Sequence, residues 1–220
     1  MTERSLQEQV LVIGNGEPPS RALTRRLARE SGYVVAADGG ANVARRYGIR
    51  PDVIIGDLDS ITQSTRRHFV AATVLHVARQ DNTDLEKALD FVLAQGIRQV
   101  TITGVDGRRT DFTLANLSIL WRYAIRAHLT VAAEGWNAYP VTGKFHGRAR
   151  RGTTVSIIPF GRCSGVTLRG LRYPLRNATL RVGEIGVSNV VVRSRFSVSV
   201  KKGHLLVFVL DGDGGRSRGT

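Results

Sequence analysis

Six short apolar runs, separated by stretches of helix length, constrain the first 133 residues more than any other feature. VLVI (10–13), YVVAA (33–37), VIIG (53–56), TVLHV (73–77), VTIT (100–103) and LTVA (129–132) are rich in β-branched residues and have the length of buried strands. The segments between them carry helix punctuation. Pro19 and Ser20 open a helix with Leu23, Leu27 and Ala28 on one face and Gly32 as its end. A second helix starts near Ala41 and closes at Gly48, and Ser60 is the expected N-cap of a third, which carries Arg66, Arg67 and Phe69. QDNTDLEKALDFVLAQG (80–96) is amphipathic, with Leu85, Leu89 and Val92 on its buried face and Gly96 as its stop. GVDGRRTDFTLANLSILWRYAI (104–125) passes from a glycine turn into a helix with Leu114, Leu117 and Leu120 inside. Strands alternating with helices predict an α/β fold with a mainly parallel, doubly wound sheet.

Beyond residue 133 the pattern changes. VTGKFHG, TTVSIIPF, GVTLRG, NATLRV, NVVVRSRFSVSV and HLLVFVL are short, alternating and separated by glycine turns, with no helical period. This predicts an all-β sandwich. The expected domains are therefore 1–133 and 134–220, packed together without a low-complexity linker, with a disordered tail GDGGRSRGT.

Composition narrows the setting. No apolar run reaches a membrane span, the first residues lack the basic and apolar regions of a signal peptide, and Cys163 has no partner for an internal disulfide. A cytoplasmic protein is expected. The net charge of +14 is the outlier, and it is uneven: +3 up to residue 130 and +11 after it. A basic second half raises a nucleic-acid-binding reading in which the acids are a relic. Aromatic residues make up only 6% of the chain and no basic run is interleaved with them, so stacking platforms for bases are missing. The scattered arginines read as a solvated surface, and no nucleic-acid or membrane partner is expected.

The chemistry gathers in loops that follow strands. In GDLDS, Asp57 and Asp59 stand at alternate positions, and in an extended segment both project to one side. Two carboxylates about 4 Å apart repel by about 4 kcal/mol at an effective dielectric near 20, so the pair needs a cation, a shared proton or water. Asp38 follows the second strand, with Gly39 and Gly40 allowing close approach of backbone to a ligand. Asp81 and Asp84 stand three residues apart at a helix start, where side chains can converge and where acids also suit the helix dipole. Arg109 and Asp111 lie at the entry of the last helix, and arginine suits phosphate contact. Ligands of open α/β sheets bind outside the carboxyl ends of the strands, where these four loops and the GNG turn after the first strand all fall. There is no P-loop, no third glycine for a dinucleotide fingerprint after GNG, and no metal-ligand spacing among the five histidines. An all-carboxylate site suits magnesium and phosphate chemistry.

The ordered set ADGGAN (37–42), GDLDS (56–60), DNTD (81–84), GRRTDFTLAN (107–116) and GVSN (186–189) resembles the thiamine pyrophosphokinases, also called thiamine diphosphokinases, over residues 10–210. The resemblance implies an N-terminal ATP- and magnesium-binding catalytic domain and a C-terminal domain for thiamine binding and dimerisation. It implies a homodimer with active sites between subunits. The implied reaction moves the pyrophosphoryl group of ATP to the hydroxyl of thiamine and releases AMP. Carried over by position, Asp57, Asp59, Asp81 and Asp84 are the magnesium ligands, and Asp57, Asp59, Asp84 and Arg109 the catalytic set, with Asp84 a candidate base. Asp38, Gly39, Gly40, Asn42, Arg109 and Asp111 fall on the ATP side, and Tyr173, Ser188 and Asn189 on the thiamine side. Three positions depart from the family pattern: Arg108 stands where a glycine is usual, Phe112 where histidine or glutamine is usual, and Tyr173 where tryptophan is frequent. A pyrophosphokinase acting on another hydroxymethyl heterocycle, such as a pterin, is the alternative within enzymes.

Overall fold

A computed structural model describes residues 9–210 except 80, 108 and 185. Arg108 and the 212–220 tail therefore lie outside the described residues. The chain divides into two compact units between Glu134 and Gly135.

The first unit holds β1 (Val10–Ile13), α1 (Arg21–Glu30), β2 (Tyr33–Ala37), α2 (Gly40–Tyr47), β3 (Val53–Gly56), α3 (Gln63–His68), β4 (Thr73–His76), α4 (Asp84–Ala94), β5 (Gln99–Thr103), α5 (Thr110–Ala124) and β6 (His128–Ala133). Its strands run in the order β4-β3-β2-β1-β5-β6, and every pairing is parallel. Register places Leu11 beside Val34, Ile13 beside Ala36 and Ala36 beside Ile54, so one face of the sheet presents these residues together. They form a buried core with Leu27 of α1 and Ala41, Val43 and Ala44 of α2. The intervening residues Val10, Val12, Val35, Val53 and Ile55 are also buried, as in a parallel sheet covered on both faces. Helix α4 packs on β1, β2 and β3 through a face that buries Leu85, Ala88, Leu89 and Val92.

Helix ends follow local chemistry. Ser20 caps α1 by accepting from Leu23 N–H, and Gly48 closes α2 in the left-handed region. Thr83 and Glu86 form a capping box at the start of α4. Two expectations are corrected. The N-cap of α3 is Thr62, not Ser60, whose hydroxyl instead donates to Asp59 Oδ1 at 3.0 Å. In α5, Leu120 is buried but Leu114 is 64% exposed. The first half of that helix is tied down by Asn116, which donates to Val105 O at 2.9 Å, rather than by apolar burial.

The second unit holds β7 (Trp136–Val141), β8 (Lys144–Arg148), β9 (Thr154–Arg169), β10 (Leu175–Leu180), β11 (Asn189–Val190), β12 (Arg195–Ser199) and β13 (Lys202–Leu210). All pairings are antiparallel: β13 lies between β7 and β9, β12 between β9 and β8, and β10 and β11 also pair with β9. TTVSIIPF and GVTLRG, read as separate strands, are parts of the single strand β9. Its ladder with β13 slips register opposite Lys202–His204, where Gly161 adopts φ +85°. Alternation along these strands places Val155, Ile157, Cys163, Val166, Val198, Leu205 and Val207 in a second core. Among the described residues, no helix of the chain is long and apolar enough to cross a membrane.

Candidate active site

Strand order reverses between β1 and β5, and the loops leaving these two strands interlock. Gly14 N–H donates to Thr103 O at 2.8 Å, Gly16 N–H to Gly104 O at 2.6 Å and Glu17 N–H to Asp106 O at 2.7 Å. A Cβ on Gly16 would stand 2.5 Å from Asp106 O, so only glycine permits this closeness. Beside the interlock lies a cavity of about 390 Å³, lined by residues 14–16 and by Asp38, Asp57, Asp59, Ser60, Thr83, Asp84, Asp106, Arg109 and Phe112, among others. This is the carboxyl edge of the sheet. A larger cavity of about 860 Å³ lies against Arg29, Arg50 and Phe69 at the opposite, amino edge, and gathers none of the expected site residues.

Asp38, Asp57 and Asp59 each offer a carboxylate oxygen within 4.8 Å of the other two. They do not meet in the way strand alternation predicts. β3 stops at Gly56 (φ +152°), and Leu58 takes φ +66°, so the chain turns back tightly and Asp59 N–H reaches Asp57 Oδ1 at 3.3 Å. Asp38 itself has φ +44° at the end of β2. Two non-glycine residues in the left-handed region store strain of order 1–3 kcal/mol each, held by the surrounding packing. At this spacing each fully ionised pair repels by about 3 kcal/mol at an effective dielectric near 20. Asp38 is 1% exposed, and its Oδ1 has no hydrogen-bond partner. Burial raises its pKa, with further increments from Asp84 and Asp57 against opposing hydrogen bonds from Ser60 and Gly39. An orphaned buried oxygen among all-oxygen donors fits a hard divalent cation.

The other expected acids stand differently. Asp84 Oδ1 is 2.9 Å from Lys87 Nζ, which also lies 3.9 Å from Asp57 Oδ2. Lys87, read only as part of a helix, is thus a site residue that sequence reasoning missed; its i+3 spacing from Asp84 was the available signal. Asp81 takes a two-point contact from Arg79 at 2.9 and 3.0 Å, and that hydrogen bonding lowers its pKa. Asp81 and Asp84 thus have different cation partners, Arg79 for Asp81 outside α4 and Lys87 for Asp84 at its start.

Arg109 lines the cavity, pairs with Asp111 at 2.5 Å and stacks 4.4 Å from the centre of the Phe112 ring. The hydrogen bond from Arg109 lowers the Asp111 pKa. Gly39 and Gly40 serve packing: a Cβ on Gly40 would lie 2.0 Å from Ile13 O. Asn42 faces the loop after β3 rather than open space, bonding to Ser60 and Thr62. Asn15 and Asp106 also line the cavity and were not foreseen, since GNG lacks the third glycine of a dinucleotide fingerprint and GVDG reads as a glycine turn.

In the second unit, Tyr173 and Asn189 border a mainly apolar cavity of about 270 Å³ with Ile157, Leu168, Leu175 and Val187. The pair is locked by Tyr173 N–H to Asn189 Oδ1 at 3.0 Å and Asn189 Nδ2 to Tyr173 O at 2.8 Å. The tyrosine remains 63% exposed. Ser188 holds φ +60°, with its N–H on Ser156 Oγ at 3.0 Å.

Residues 24–132 match the family model for the thiamin pyrophosphokinase catalytic domain, and residues 144–205 that for the thiamin pyrophosphokinase vitamin B1 binding domain. The chain is 32% identical to thiamine pyrophosphokinase of Bacillus subtilis over 181 residues, 79% of this chain and 85% of that protein. The chain belongs to the thiamine pyrophosphokinase family. The crystal structure of thiamine pyrophosphokinase from Bacillus subtilis superposes with a TM-score of 0.82 at 25% identity, covering 93% of this chain and all of that one. A 6-hydroxymethyl-7,8-dihydropterin pyrophosphokinase of Pyrococcus furiosus matches at 33% identity over 99 residues, 43% of this chain and 41% of that protein. The pterin enzyme's likeness thus covers less than half of this thiamine pyrophosphokinase family member, whereas the vitamin B1 model falls in its second unit.

Proposed function

We propose that this member of the thiamine pyrophosphokinase family transfers the pyrophosphoryl group of ATP to the hydroxyl of thiamine, giving thiamine diphosphate and AMP. The convergence of Asp38, Asp57 and Asp59 at the carboxyl edge of a parallel sheet carries the reading. Those carboxylates, with Asp84 beside them, would hold magnesium, which would supply charge neutralisation for the phosphate oxygens. The protein's own groups do the rest. The interlocked glycine loops line the cavity that would take the nucleotide, and Arg109 on the same wall is assigned to phosphate on the AMP side. The hydroxyl oxygen of thiamine attacks the β-phosphorus, the bond from that phosphorus to the AMP oxygen breaks, and the hydroxyl proton passes to a carboxylate, for which Asp84 is the candidate. Tyr173, Ser188 and Asn189 are assigned to thiamine, with the exposed tyrosine ring free to stack on it.

The same reading takes the first sheet as doubly wound, supported by the order reversal at β1 and β5, and the second unit as a sandwich, supported by β9 pairing with four strands. It assigns the first unit to ATP and magnesium and the second to thiamine and dimerisation, in a cytoplasmic homodimer without nucleic-acid or membrane partners. Incubation with ATP, magnesium and thiamine should yield AMP and thiamine diphosphate in equal amounts. Formation of ADP, absence of turnover, or preference for a hydroxymethyl pterin in an acceptor panel would each overturn the assignment.

A further inference from the structure

Beside the acids stands a cation that neither helix formation nor core packing asks for. Lys87 is 4% exposed, with Nζ 2.9 Å from Asp84 Oδ1 and 3.9 Å from Asp57 Oδ2. It is the fourth residue of α4, where positive charge opposes the helix dipole. Its helix neighbours Leu85, Ala88 and Leu89 are buried, and an apolar side chain would join them without the desolvation penalty of an ammonium group. Its gain is two carboxylates from two elements, α4 and the loop after β3, on one nitrogen. Among the described residues, no other lysine or arginine lies within ion-pair distance of Asp38, Asp57, Asp59 or Asp84.

We propose that Lys87 is a built-in counter-ion of the acid cluster. It is a positioning residue that holds Asp57 and Asp84 in place, and it weakens the grip of the site on a free divalent cation. The metal is then taken up with the nucleotide rather than ahead of it. The physical reason is competition: a carboxylate shared with a fixed ammonium group attracts a second cation less, while the phosphates of a nucleotide offset the lysine charge. This rests on the reading of the acids as a magnesium–ATP site.

The test compares wild type with Lys87→Met, which removes the charge at similar length, and Lys87→Arg, which keeps it. Full-length proteins are titrated with Mn²⁺ alone, the free ion being followed by paramagnetic resonance. Turnover and KM are measured in parallel, and cooperative melts establish folding. Lys87→Met should bind Mn²⁺ about tenfold more tightly, and lose about 100-fold in kcat with KM for thiamine within about twofold. Lys87→Arg should stay near wild type in Mn²⁺ binding and recover much of the lost turnover. Unchanged or weaker Mn²⁺ binding by Lys87→Met overturns the proposal, and so does a turnover defect that Lys87→Arg fails to relieve. If Lys87→Met does not fold, wild type alone decides: millimolar Mn²⁺ binding without nucleotide is expected, and micromolar binding refutes it. Absence of AMP from wild type would overturn the assigned reaction and leave the Mn²⁺ comparison standing.

Discussion

Asn42 clamps Ser60: its Nδ2 donates to the Ser60 carbonyl at 2.8 Å, while its Oδ1 accepts from Thr62 N–H at 3.1 Å. The first turn of α2 thereby fixes the loop that carries Asp57 and Asp59. Asn42→Ala removes both bonds and should cost about 1–3 kcal/mol of stability. Turnover should fall further than that loss explains, since the loop would no longer hold its two acids in place. Asn42→Asp keeps an acceptor for Thr62 and should be milder. Chemical denaturation alongside kinetics separates the two effects, and equal turnover in all three proteins would remove the clamp from the account.

Asp57→Asn and Asp59→Asn should each lower turnover on the order of 100-fold or more, because charge neutralisation at the phosphates is lost. Asp59→Asn should not reduce the melting temperature of the metal-free protein, since it relieves repulsion among three close carboxylates. Asp57→Asn sets the same relief against loss of the Lys87 contact and should be the less stable of the two. Chelation of magnesium should abolish the activity of wild type. Near-normal rates in both variants would show that the metal binds elsewhere.

Asp38 carries a pH signature. Burial raises its folded-state pKa above the unfolded value of 3.8. The sign follows from linkage: the neutral form is favoured in the fold, so the contribution is fully present below the unfolded pKa and lost as pH rises through the raised one. In chelator, the stability of Asp38→Asn relative to wild type should therefore increase with pH across that window and then level off. Magnesium should shrink the difference. Melting curves of both proteins from acid to neutral pH test this, and a pH-independent difference would contradict it.

Thr83 caps α4 through Glu86 N–H, and the Glu86 carboxylate returns to Thr83 N–H at 2.9 Å. Thr83→Ala should cost about 1 kcal/mol, within the usual range of 0.5–2. Asp84 and Lys87 lie in the first turns of the same helix, so turnover should fall severalfold as well. Urea melts and initial rates check both. Thr83→Ser should restore most of each.

Much of the scaffold was readable from residue types. Parallel pairing and the β-only second unit follow from β-branched runs and their spacing, and Asp57 and Asp59 were singled out as a pair in want of a cation. The means of their meeting was not readable: leucine rarely adopts positive φ, so nothing in GDLDS announces the turn at Leu58. Nor does sequence say which of several acids a nearby cation will take. Arg79 takes Asp81 and Lys87 takes Asp84 because of where α4 begins, a matter of one helix turn. Asn42 fell on the ATP side only through its place in ADGGAN. Its loop-clamping role depends on Ser60 and Thr62, and the distance between them is set by the β2–β3 pairing.

The interlock of the loops at Gly16 and Gly104 has a consequence for the order of assembly. Its two halves leave β1 and β5, which are distant in sequence and meet only when the parallel sheet is nearly whole. Contacts of such separation form late and require the intervening chain to be in place. A half-made or truncated first unit thus has no partial version of this cleft to offer. Any ligand held there binds the finished fold alone, and its binding energy becomes a reward for completing the long-range β1–β5 pairing.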